Sequence, residues 1–599
     1  MYRYLPFFVT IALIPGCGVW CEWFGLCDRE TGSPELKAFE SEKELIDYFS
    51  QQISVRNDRF DEIDLMGGSD GAADDFTSGD TAVDGTNGAF DGPAPGEPGG
   101  AEGGDAGRSD EDFSQTTIQE EGVDEADVVK TDGTYLYIID SEYPNSVLRI
   151  VRASPPDPLA LLGEGVLLEG NGREIYLYGD KVVALTQTGG GFYILGGGGI
   201  AIDDVREPDV DAGSDTTTED VEADLVEPGS VGEVGYERPG TIVTVIDVTS
   251  RDEPVVLSQT RFDGTPSSSR MIDGVLHLVL ANYQDYYYDV LPMLGQPELE
   301  VSTIEVQAIL PGFERVDADG AEETGNTVTW QELYRPTDPD GFGVVTVVSL
   351  DVDNAAEFTA VGIVAEPGLI YSSLNALYLT DTEWNFLGNN RETTDIYKFA
   401  YVDRGAIATA TGSVPGRVLN QYSMGEYAGH LRVATTVGPT FTPFGGRGEP
   451  HNNVYILGQT GTTLQEVGSI VNIAPGETIQ SARFIGERGY LVTFEQIDPL
   501  FTLDLRDPTD PQIAGELKVP GFSTFIVPMG EDHLLTVGQY IPEDGPFFGW
   551  GVQLSIFDVS DFSDPELATP SVVLGEQGGA SSEALYNPKA FTYFAERGL

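Results

Sequence analysis

The feature of this sequence that most constrains its fold is a two-hairpin pattern that recurs along the chain. A strand ends in an apolar-Asp-apolar triplet, a Pro-marked turn follows, and another strand and a Gly turn lead to the next pair of strands. The clearest copies, around Asp247, Asp504 and Asp558, read VIDVTSRDEPVVLSQ, TLDLRDPTDPQIAGE and IFDVSDFSDPELATP. Weaker copies surround Asp351 and Asp403, which lie 52 residues apart. A repeat of this length is typical of arrays of small sheets.

Short β-rich runs bounded by Gly, Pro and Asp fill the chain after Asp127. They predict an all-β fold, a β-propeller of seven or eight four-stranded blades over residues 113–599. The strand pairs make seven full units and the start of an eighth at SSEALYNPKAFTYF. We expect the last blade either to be truncated or to pair with N-terminal strands. An acidic loop insertion, about 203–237, and an excursion over one face, about 284–342, interrupt the repeat.

The N-terminus has the layout of an export signal. Residues 1–16 contain one basic residue and an apolar stretch too short to span a bilayer, which predicts a signal peptide. The end of this stretch, LIPGC, resembles a bacterial lipobox, with cleavage after Gly16 and lipidation of Cys17; ordinary cleavage or a wrong start codon is the alternative. Cys21 and Cys27 could close a disulfide loop or remain free thiols. We therefore expect an exported protein of the bacterial cell envelope, either bound to the membrane by its N-terminal lipid or extracellular.

Two further segments precede the repeats. In the leader, residues 17–65, the stretch SPELKAFESEKELIDYFSQQISVR has apolar residues at mostly three- and four-residue spacings, and Ser41 and Glu44 match a capping box. The apolar residues are Leu36, Phe39, Leu45, Ile46, Phe49 and Ile53. This pattern predicts one or two short amphipathic helices. Residues 66–112 are rich in Gly, Asp, Ala and Pro, a composition that buries too little apolar surface to offset the entropy of ordering. We expect a disordered acidic linker there.

Charge excludes one class of partner. The chain has 31 Lys and Arg against 99 Asp and Glu, a net charge of -68. Such a protein repels phosphate backbones, so nucleic acid is not an expected partner. The acidity fits cations, basic proteins or high-salt surroundings, and its simplest interpretation is solubility.

Two long motifs resemble those of the secreted β-propeller-domain proteins of bacteria and archaea. They are TTIQEEGVDEADVVKTDGTYLYIID, at 116–140, and the stretch from ETIQSARFIGERGYLVTFEQIDPLF to PGFSTF, at 477–525. The resemblance covers about 115–599, and the leader is also similar; it implies a propeller in an envelope protein of no established activity or substrate. The signature residues are Glu120, Glu121, Gly122, Asp124, Glu125, Asp127, Lys130, Asp132, Gly133, Arg483, Asp498, Pro499, Gly521 and Ser523. The acidic insertion and the early stop in the eighth unit depart from the family pattern.

Five carboxylates and Lys130 crowd the segment before the first strand of the repeat. Such a cluster could bind Ca²⁺ through hard oxygen ligands, or it could pair with arginines inside the propeller, such as Arg270 and Arg483. We favour pairing with the arginines.

Other signs of chemistry are sparse. The four histidines lack metal-ligand spacing, and we expect His277 in VLHLVLA to lie in the core or at a strand edge. No nucleophile elbow, phosphate loop or calcium loop occurs, so no catalytic residue, metal site or cofactor is predicted beyond weakly supported Ca²⁺. The favoured interpretation is a non-enzymatic binding or scaffold module, anchored to the envelope, for a protein or polysaccharide partner. The alternative is a carboxylate-dependent hydrolase or lyase, with or without Ca²⁺, in the propeller funnel.

Overall fold

The computed structural model describes residues 36–51, 116–142, 144–154, 159–189, 191–195, 233–282, 309–337, 343–355, 357–384, 392–438, 449–494, 498–541, 551–575 and 579–593. The predictions for the signal peptide, Gly16, Cys17, Cys21, Cys27 and the linker lie outside these residues. Strand β1 (Leu36–Ala38) and helix α1, residues 42–51, come first in the described chain.

Within the described residues, the strands form seven mainly antiparallel units, numbered here in chain order. Units 4 and 5 are joined into one nine-stranded sheet by a single parallel bridge, Thr411 to Thr463, and a hairpin inserted in unit 2 forms a separate two-stranded sheet. Unit 1 contains β2 (Val129–Thr131), β3 (Tyr135–Glu142), β4 (Asn145–Arg152) and β5 (Ala160–Glu169). Unit 2 contains β6 (Asn171–Tyr178), β7 (Lys181–Thr188), the added hairpin β8 (Gly191–Leu195) and β9 (Glu233–Glu237), then β10 (Gly240–Asp247) and β11 (Val255–Asp263). Unit 3 contains β12 (Thr265–Ile272), β13 (Val275–Asn282), β16 (Leu333–Pro336), β17 (Val344–Asp351) and β18 (Phe358–Val364). The hairpin β14 (Gly312–Asp317) and β15 (Glu322–Asn326) lies between β13 and β16 in sequence, but it joins the sheet of unit 2.

Unit 4 contains β19 (Ile370–Ser372), β20 (Ala376–Trp384), β21 (Glu392–Val402) and β22 (Gly405–Pro415). Unit 5 contains β23 (Arg417–Val418), β24 (Met424–Tyr427), β25 (His430–Val437), β26 (His451–Thr460) and β27 (Thr463–Ile473), with a 3-10 helix at Gln421–Ser423. Unit 6 contains β28 (Thr478–Ile485), β29 (Arg488–Phe494), β30 (Asp498–Asp504) and β31 (Gln512–Val519). Unit 7 contains β32 (Phe522–Met529), β33 (His533–Tyr540), β34 (Gly551–Asp558), β35 (Glu566–Leu567) and β36 (Val572–Leu574); 3-10 helices at Glu583–Leu585 and Pro588–Ala590 follow.

The repeated aspartate has a local structural role. The side chains of Asp247, Asp351, Asp504 and Asp558 each accept a hydrogen bond from the backbone N–H two residues later. This turn ends the third strand of its unit and redirects the chain toward the fourth. The weaker copy at Asp403 differs, because Asp403 itself adopts a φ of 47° in a tight turn between β21 and β22.

The apolar core lies between successive units. One buried cluster joins each neighbouring pair, from units 1 and 2 through to units 6 and 7. Each fully buried leucine-sized side chain contributes about 1.5–3 kcal/mol to stability. Sheets that pack face to face in chain order form the radial arrangement expected of a propeller.

Helix α1 packs on the outer edge of unit 3. Glu44 N–H donates to the hydroxyl of Ser41 at 3.2 Å, and the Glu44 carboxylate accepts from Glu40 N–H at 2.7 Å, so the capping pair is present. Leu45 and Phe49 are buried in one cluster with residues of β16 and β17. The preceding residues differ from the helical expectation, because 36–38 form β1, which pairs with β16.

The long excursion can be compared with the expectation only over its described part. Its described part, 309–337, adds strands at the outer edges of two units instead of covering a face of the propeller. Hairpin β14–β15 extends unit 2 by pairing with β11, and β16 runs parallel to β18 of unit 3. The physical reason is that an outer strand has unpaired backbone groups, which additional strands satisfy. The end of the acidic insertion also differs, since 233–237 form β9.

The last described segment packs on unit 7. Ala584 is buried in a cluster with Val537 and Val552 of unit 7. Unit 1, in contrast, has its packed face in the cluster with unit 2, while Leu161 and Leu167 on the opposite face are 53% and 70% exposed.

Candidate binding cavity

Residues 116–128, named here the channel segment, run along the innermost strands of the units. Its main chain forms isolated β-bridges, from Asp124 to Met271 of unit 3 and from Asp127 to Ile175 of unit 2. Gln119 donates its side-chain amide to two backbone oxygens of unit 5, those of Gln421 at 2.8 Å and Met424 at 3.1 Å. The acidic motif therefore bonds the inner strands of units 2 and 3 and a turn of unit 5.

A glycine allows the segment to turn between these contacts. Gly122 has a φ of 80°, in the left-handed region that residues with a Cβ rarely adopt. A Cβ added there would also lie 3.2 Å from the side chain of Leu374 in unit 4.

The carboxylates of the channel segment already have partners, except for the exposed Glu121. Glu120 accepts a hydrogen bond from the Tyr371 hydroxyl at 2.7 Å. Asp124 pairs with Lys130 at 2.8 Å, and Glu125 accepts the backbone N–H of Gln119 at 3.1 Å. Burial raises the pKa of the Glu120 and Asp124 carboxyls above their ordinary values.

Asp127 completes this network at the start of unit 1. Its two carboxylate oxygens accept from Val128 N–H at 2.7 Å and from the Thr116 hydroxyl at 3.3 Å. Such bonds make these carboxylates structural groups, which hold the segment in place.

The expected arginine pairing takes another form. Arg483 donates to the backbone oxygen of Gln119 at 2.7 Å, and Arg270 donates to the side-chain oxygen of Gln421 at 2.9 Å. Each guanidinium is thus bonded to an uncharged oxygen at these contacts. The positive charge of Arg483, like that of Arg432, still lowers the pKa of Glu120, against the larger effect of burial. Main-chain carbonyls and amide side chains compete well for guanidinium donors, and sequence spacing cannot reveal that competition.

The remaining signature residues stabilise turns and contacts between units. Asp132 accepts from the backbone N–H groups of the next turn and from the Tyr137 hydroxyl at 2.9 Å, and Gly133 has a φ of 84°. Gly521 has a φ of 85°. Ser523 accepts at its backbone oxygen from the Ser481 hydroxyl at 2.8 Å, which links units 6 and 7.

Asp498 and Pro499 begin β30, the third strand of unit 6. Their backbone pairs with residues 518 and 519 of β31. The backbone of these two signature residues therefore belongs to the sheet.

A cavity of about 580 Å³ lies beside the channel segment. Residues from units 2 to 7 and from the last described segment line it together with Glu125. Because the innermost strands of so many units contribute, the cavity is central to the sheet array.

Charged groups in the cavity wall are tied to neighbours. Glu174 pairs with Lys589 of the last described segment at 2.6 Å. Arg270 is 6% exposed and also donates to the Ser268 hydroxyl at 2.8 Å and to the Ser269 backbone oxygen at 2.6 Å.

Aromatic side chains form the apolar part of the wall. Tyr422 and Phe525 are edge-to-face, with ring centroids 5.3 Å apart, and the Arg483 guanidinium lies 5.1 Å from the Tyr422 ring centroid. Burial raises the pKa of Tyr422 to about 12. Tyr586 lies in the same wall and is 77% exposed.

Three further features of the described residues concern metal sites, membrane-spanning helices and the buried histidine. Among these residues, no three His, Cys, Asp or Glu side chains converge as a metal site. No described helix has the length and apolar character needed to cross a bilayer. His277 is 3% exposed, as expected for a core residue, and its Nδ1 lies 2.9 Å from the Ser349 hydroxyl.

Sequence reasoning missed several residues of this site. Gln421 and Tyr422 lie between repeats, in no motif, and Tyr371 and Arg432 carry no distinguishing spacing. The sequence gives one indirect signal: SSEALYNPKAFTYF, which predicts the start of a repeat, contains Tyr586 and Lys589.

Comparison with protein families gives one match that covers most of the chain. A family described as "Beta propeller domain" matches residues 113–599. An uncharacterized protein of Archaeoglobus fulgidus is 28% identical over 520 residues, which cover 82% of this chain and 75% of that protein. An uncharacterized protein of Methanocaldococcus jannaschii is 35% identical over 182 residues, which cover 30% of this chain and 27% of that protein.

Two similar solved structures share little sequence identity with this chain. A mutant of the Synechocystis apocarotenoid oxygenase is 10% identical, with 45% of this chain and 59% of that chain covered and a TM-score of 0.26. An acylaminoacyl peptidase in complex with a chloromethyl ketone is 8% identical, with 76% and 52% covered and a TM-score of 0.29.

Proposed function

The chain belongs to the beta propeller domain family, and on that premise we propose that it is a non-enzymatic binding module, anchored to the cell envelope. Its ligand is part of a protein or polysaccharide partner and enters the central cavity. The seven units are the blades of the propeller, and the last described segment occupies the place beside the seventh.

One observation carries this proposal: the cavity is large enough for a ligand, while the charged groups around it are already engaged. Its volume of about 580 Å³ lies within the range of about 300–1,000 Å³ that ligand pockets occupy. Glu125 accepts from Gln119 N–H, and Glu174 pairs with Lys589. A wall of satisfied charges, amides and aromatic rings favours recognition of a ligand over proton transfer to it.

The second candidate, a hydrolase or lyase, is favoured by one fact. Glu125 and Glu174 both line the cavity. Most glycosidases cleave the glycosidic bond with two carboxyl groups, one of which acts as the general acid. The contacts of both carboxylates oppose this candidate, because a general acid or base must exchange its proton with the substrate.

Binding and product analysis with the full-length protein distinguish the two functions. We expect saturable binding of envelope polysaccharide or envelope protein fractions, with ligands recovered unchanged by mass spectrometry. Glu125→Gln is the test variant, and Glu121→Gln, at an exposed carboxylate of the same segment, is the matched control. Cleavage products that disappear in Glu125→Gln and persist in Glu121→Gln would establish the enzyme and overturn the binding module.

The anchor has its own experiment. Intact mass of membrane-fraction protein expressed in a bacterium should show a diacylglyceryl group on a chain that begins at Cys17. Cys17→Ala should lose that mass and release the protein from the membrane fraction. An unmodified or uncleaved chain would contradict the anchoring.

A further inference from the structure

The central cavity also indicates the chemical class of the ligand. Resting on the proposed function, we infer that the cavity binds a neutral, hydroxyl-rich saccharide. The inference depends on three properties of the wall: its paired charges, its planar amide groups and its aromatic rings.

The charges in the wall balance. Glu125 and Glu174 are offset by Arg270 and Lys589, and the second carboxylate lies in contact with its cation at 2.6 Å. An anionic ligand would meet two carboxylates within a protein of net charge -68. A cationic ligand would have to displace Lys589 or lie beside Arg270. Because buried charge without a partner is costly, a neutral ligand fits this wall best.

Amide side chains supply hydrogen bonds at the wall. The Gln480 amide nitrogen donates to the Thr478 hydroxyl at 3.0 Å, which leaves its carbonyl oxygen to accept from a ligand. The side-chain oxygen of Gln421 is held by Arg270 at 2.9 Å, so that amide is oriented before a ligand arrives. Sugar hydroxyls both donate and accept, and fixed planar amides can bond two neighbouring hydroxyls at once.

Aromatic rings supply the other half of saccharide recognition. Sugar rings have apolar C–H faces that pack on aromatic faces. Tyr422 is 7% exposed and contacts Phe525 and the Arg483 guanidinium. The ring that this wall leaves accessible to a sugar is therefore that of Tyr586, which is 77% exposed. A volume of about 580 Å³ suits a short oligosaccharide or the end of a glycan chain.

The test measures binding of defined probes to the full-length protein by titration calorimetry. The neutral probes are maltohexaose, cellohexaose and chitohexaose; hexagalacturonate is the anionic probe and hexalysine the cationic one. We expect at least one neutral probe to bind and both charged probes to fail. Tyr586→Ala and Gln480→Ala should each weaken that binding about fivefold to tenfold, whereas Tyr586→Phe, which keeps the ring, should change it less than about twofold.

A matched control separates lost recognition from general damage. Leu167→Ala removes a side chain that is 70% exposed on unit 1 and does not line the cavity, so it should leave binding unchanged. Equal affinity in Tyr586→Ala, Gln480→Ala and the unsubstituted protein would place the saccharide outside the cavity and overturn the inference. Failure of all neutral probes would also overturn it.

The two proposals fail in different ways. Binding of hexalysine or hexagalacturonate in a Tyr586-dependent manner would overturn the inference of a neutral saccharide and leave the binding module standing. A neutral saccharide that is bound and then cleaved would support the inference about ligand class and overturn the non-enzymatic function.

Discussion

Units 3 and 1 share the four-stranded antiparallel plan, but they differ in how many of their faces are buried. All eight side chains of β13 in unit 3 are buried, because units 2 and 4 pack on its two faces. In unit 1, β4 alternates between buried and partly exposed residues, and Leu167 on β5 is 70% exposed. The comparison shows that neighbours decide whether the second face of a sheet is buried.

Burial of both faces also means that a polar side chain must find its hydrogen-bond partners within the protein. His277 of β13 is stacked on Tyr401 of unit 4, with ring centroids 4.1 Å apart, and its Nδ1 lies 2.9 Å from the Ser349 hydroxyl. A polar side chain on the open face of unit 1 can bond water instead. Unit 3 therefore requires internal partners where unit 1 does not.

The largest expected effect tests the difference in packing. Leu278→Ala in unit 3, at a side chain 1% exposed, should lower the free energy of unfolding by about 2–5 kcal/mol through lost burial and a residual cavity. Leu167→Ala on the open face of unit 1 should change it by less than about 0.5 kcal/mol. Denaturant unfolding followed by tryptophan fluorescence measures both.

A third variant sharpens this result within unit 1. Leu148 is fully buried on the packed face, so Leu148→Ala should cost as much as Leu278→Ala. If Leu167→Ala and Leu278→Ala lowered the free energy of unfolding equally, the open face of unit 1 would be covered in solution. The contrast drawn between units 1 and 3 would then be wrong.

The next effect concerns pH. Burial lowers the pKa of His277 from 6.5 to about 4. The unfolded chain therefore binds a proton that the folded protein excludes, so this contribution is fully present above pH 6.5 and is lost as pH falls toward 4. The loss should reach about 3 kcal/mol below that window.

Substitution identifies the source of this pH dependence. In His277→Gln, the free energy of unfolding should lack this component between pH 6.5 and 4. His533→Gln, at a partly exposed histidine of unit 7, should retain it. A profile that is unchanged in His277→Gln would show that another group is responsible.

The smallest effect concerns the last described segment, which packs on unit 7. Among the described residues, no such segment covers the open face of unit 1. Lys589→Met removes the ion pair with Glu174, in which the side chains are 28% and 35% exposed. Partly exposed pairs contribute little, so the loss should be about 0.5 kcal/mol and should shrink at high salt. Lys43→Met removes the ion pair with Asp47 on α1, in which the side chains are 80% and 62% exposed. It should lower the free energy of unfolding by less than Lys589→Met in the same denaturation assay. A larger loss in Lys43→Met would contradict the stabilising role given to the Lys589–Glu174 pair.

Local patterns predicted local structure well. The recurring aspartate marked the turn after the third strand at Asp247, Asp351, Asp504 and Asp558. Likewise, Ser41 and Glu44 marked the start of α1. These features depend on hydrogen bonds within a few residues, which spacing alone reveals.

Placement of the longer segments was harder to predict. The excursion was expected to cover one face, but its described part extends the edges of units 2 and 3. Alternation and length cannot tell which unpaired strand edge a hairpin will meet, because that edge is formed by residues far away in sequence.

The candidate site was predictable only in part. The channel segment was recognised from its acidic motif, while Gln421, Tyr371 and Arg432, which contact or surround it, come from units remote in sequence. The pairing expected for Arg270 with that motif was replaced by a bond to Gln421. A guanidinium chooses among all nearby acceptors, and only the folded structure determines which ones are near.

The sequence by itself determined the β-rich repeat, the turns that separate its strands, and the acidic character that disfavours nucleic acid, because each of these depends on composition or on neighbours along the chain. The tertiary structure decided which faces are buried, where the channel segment lies and which side chains surround the cavity. These depend on contacts between units separated by hundreds of residues, as when Gln119 bonds Met424, and no local periodicity encodes such contacts.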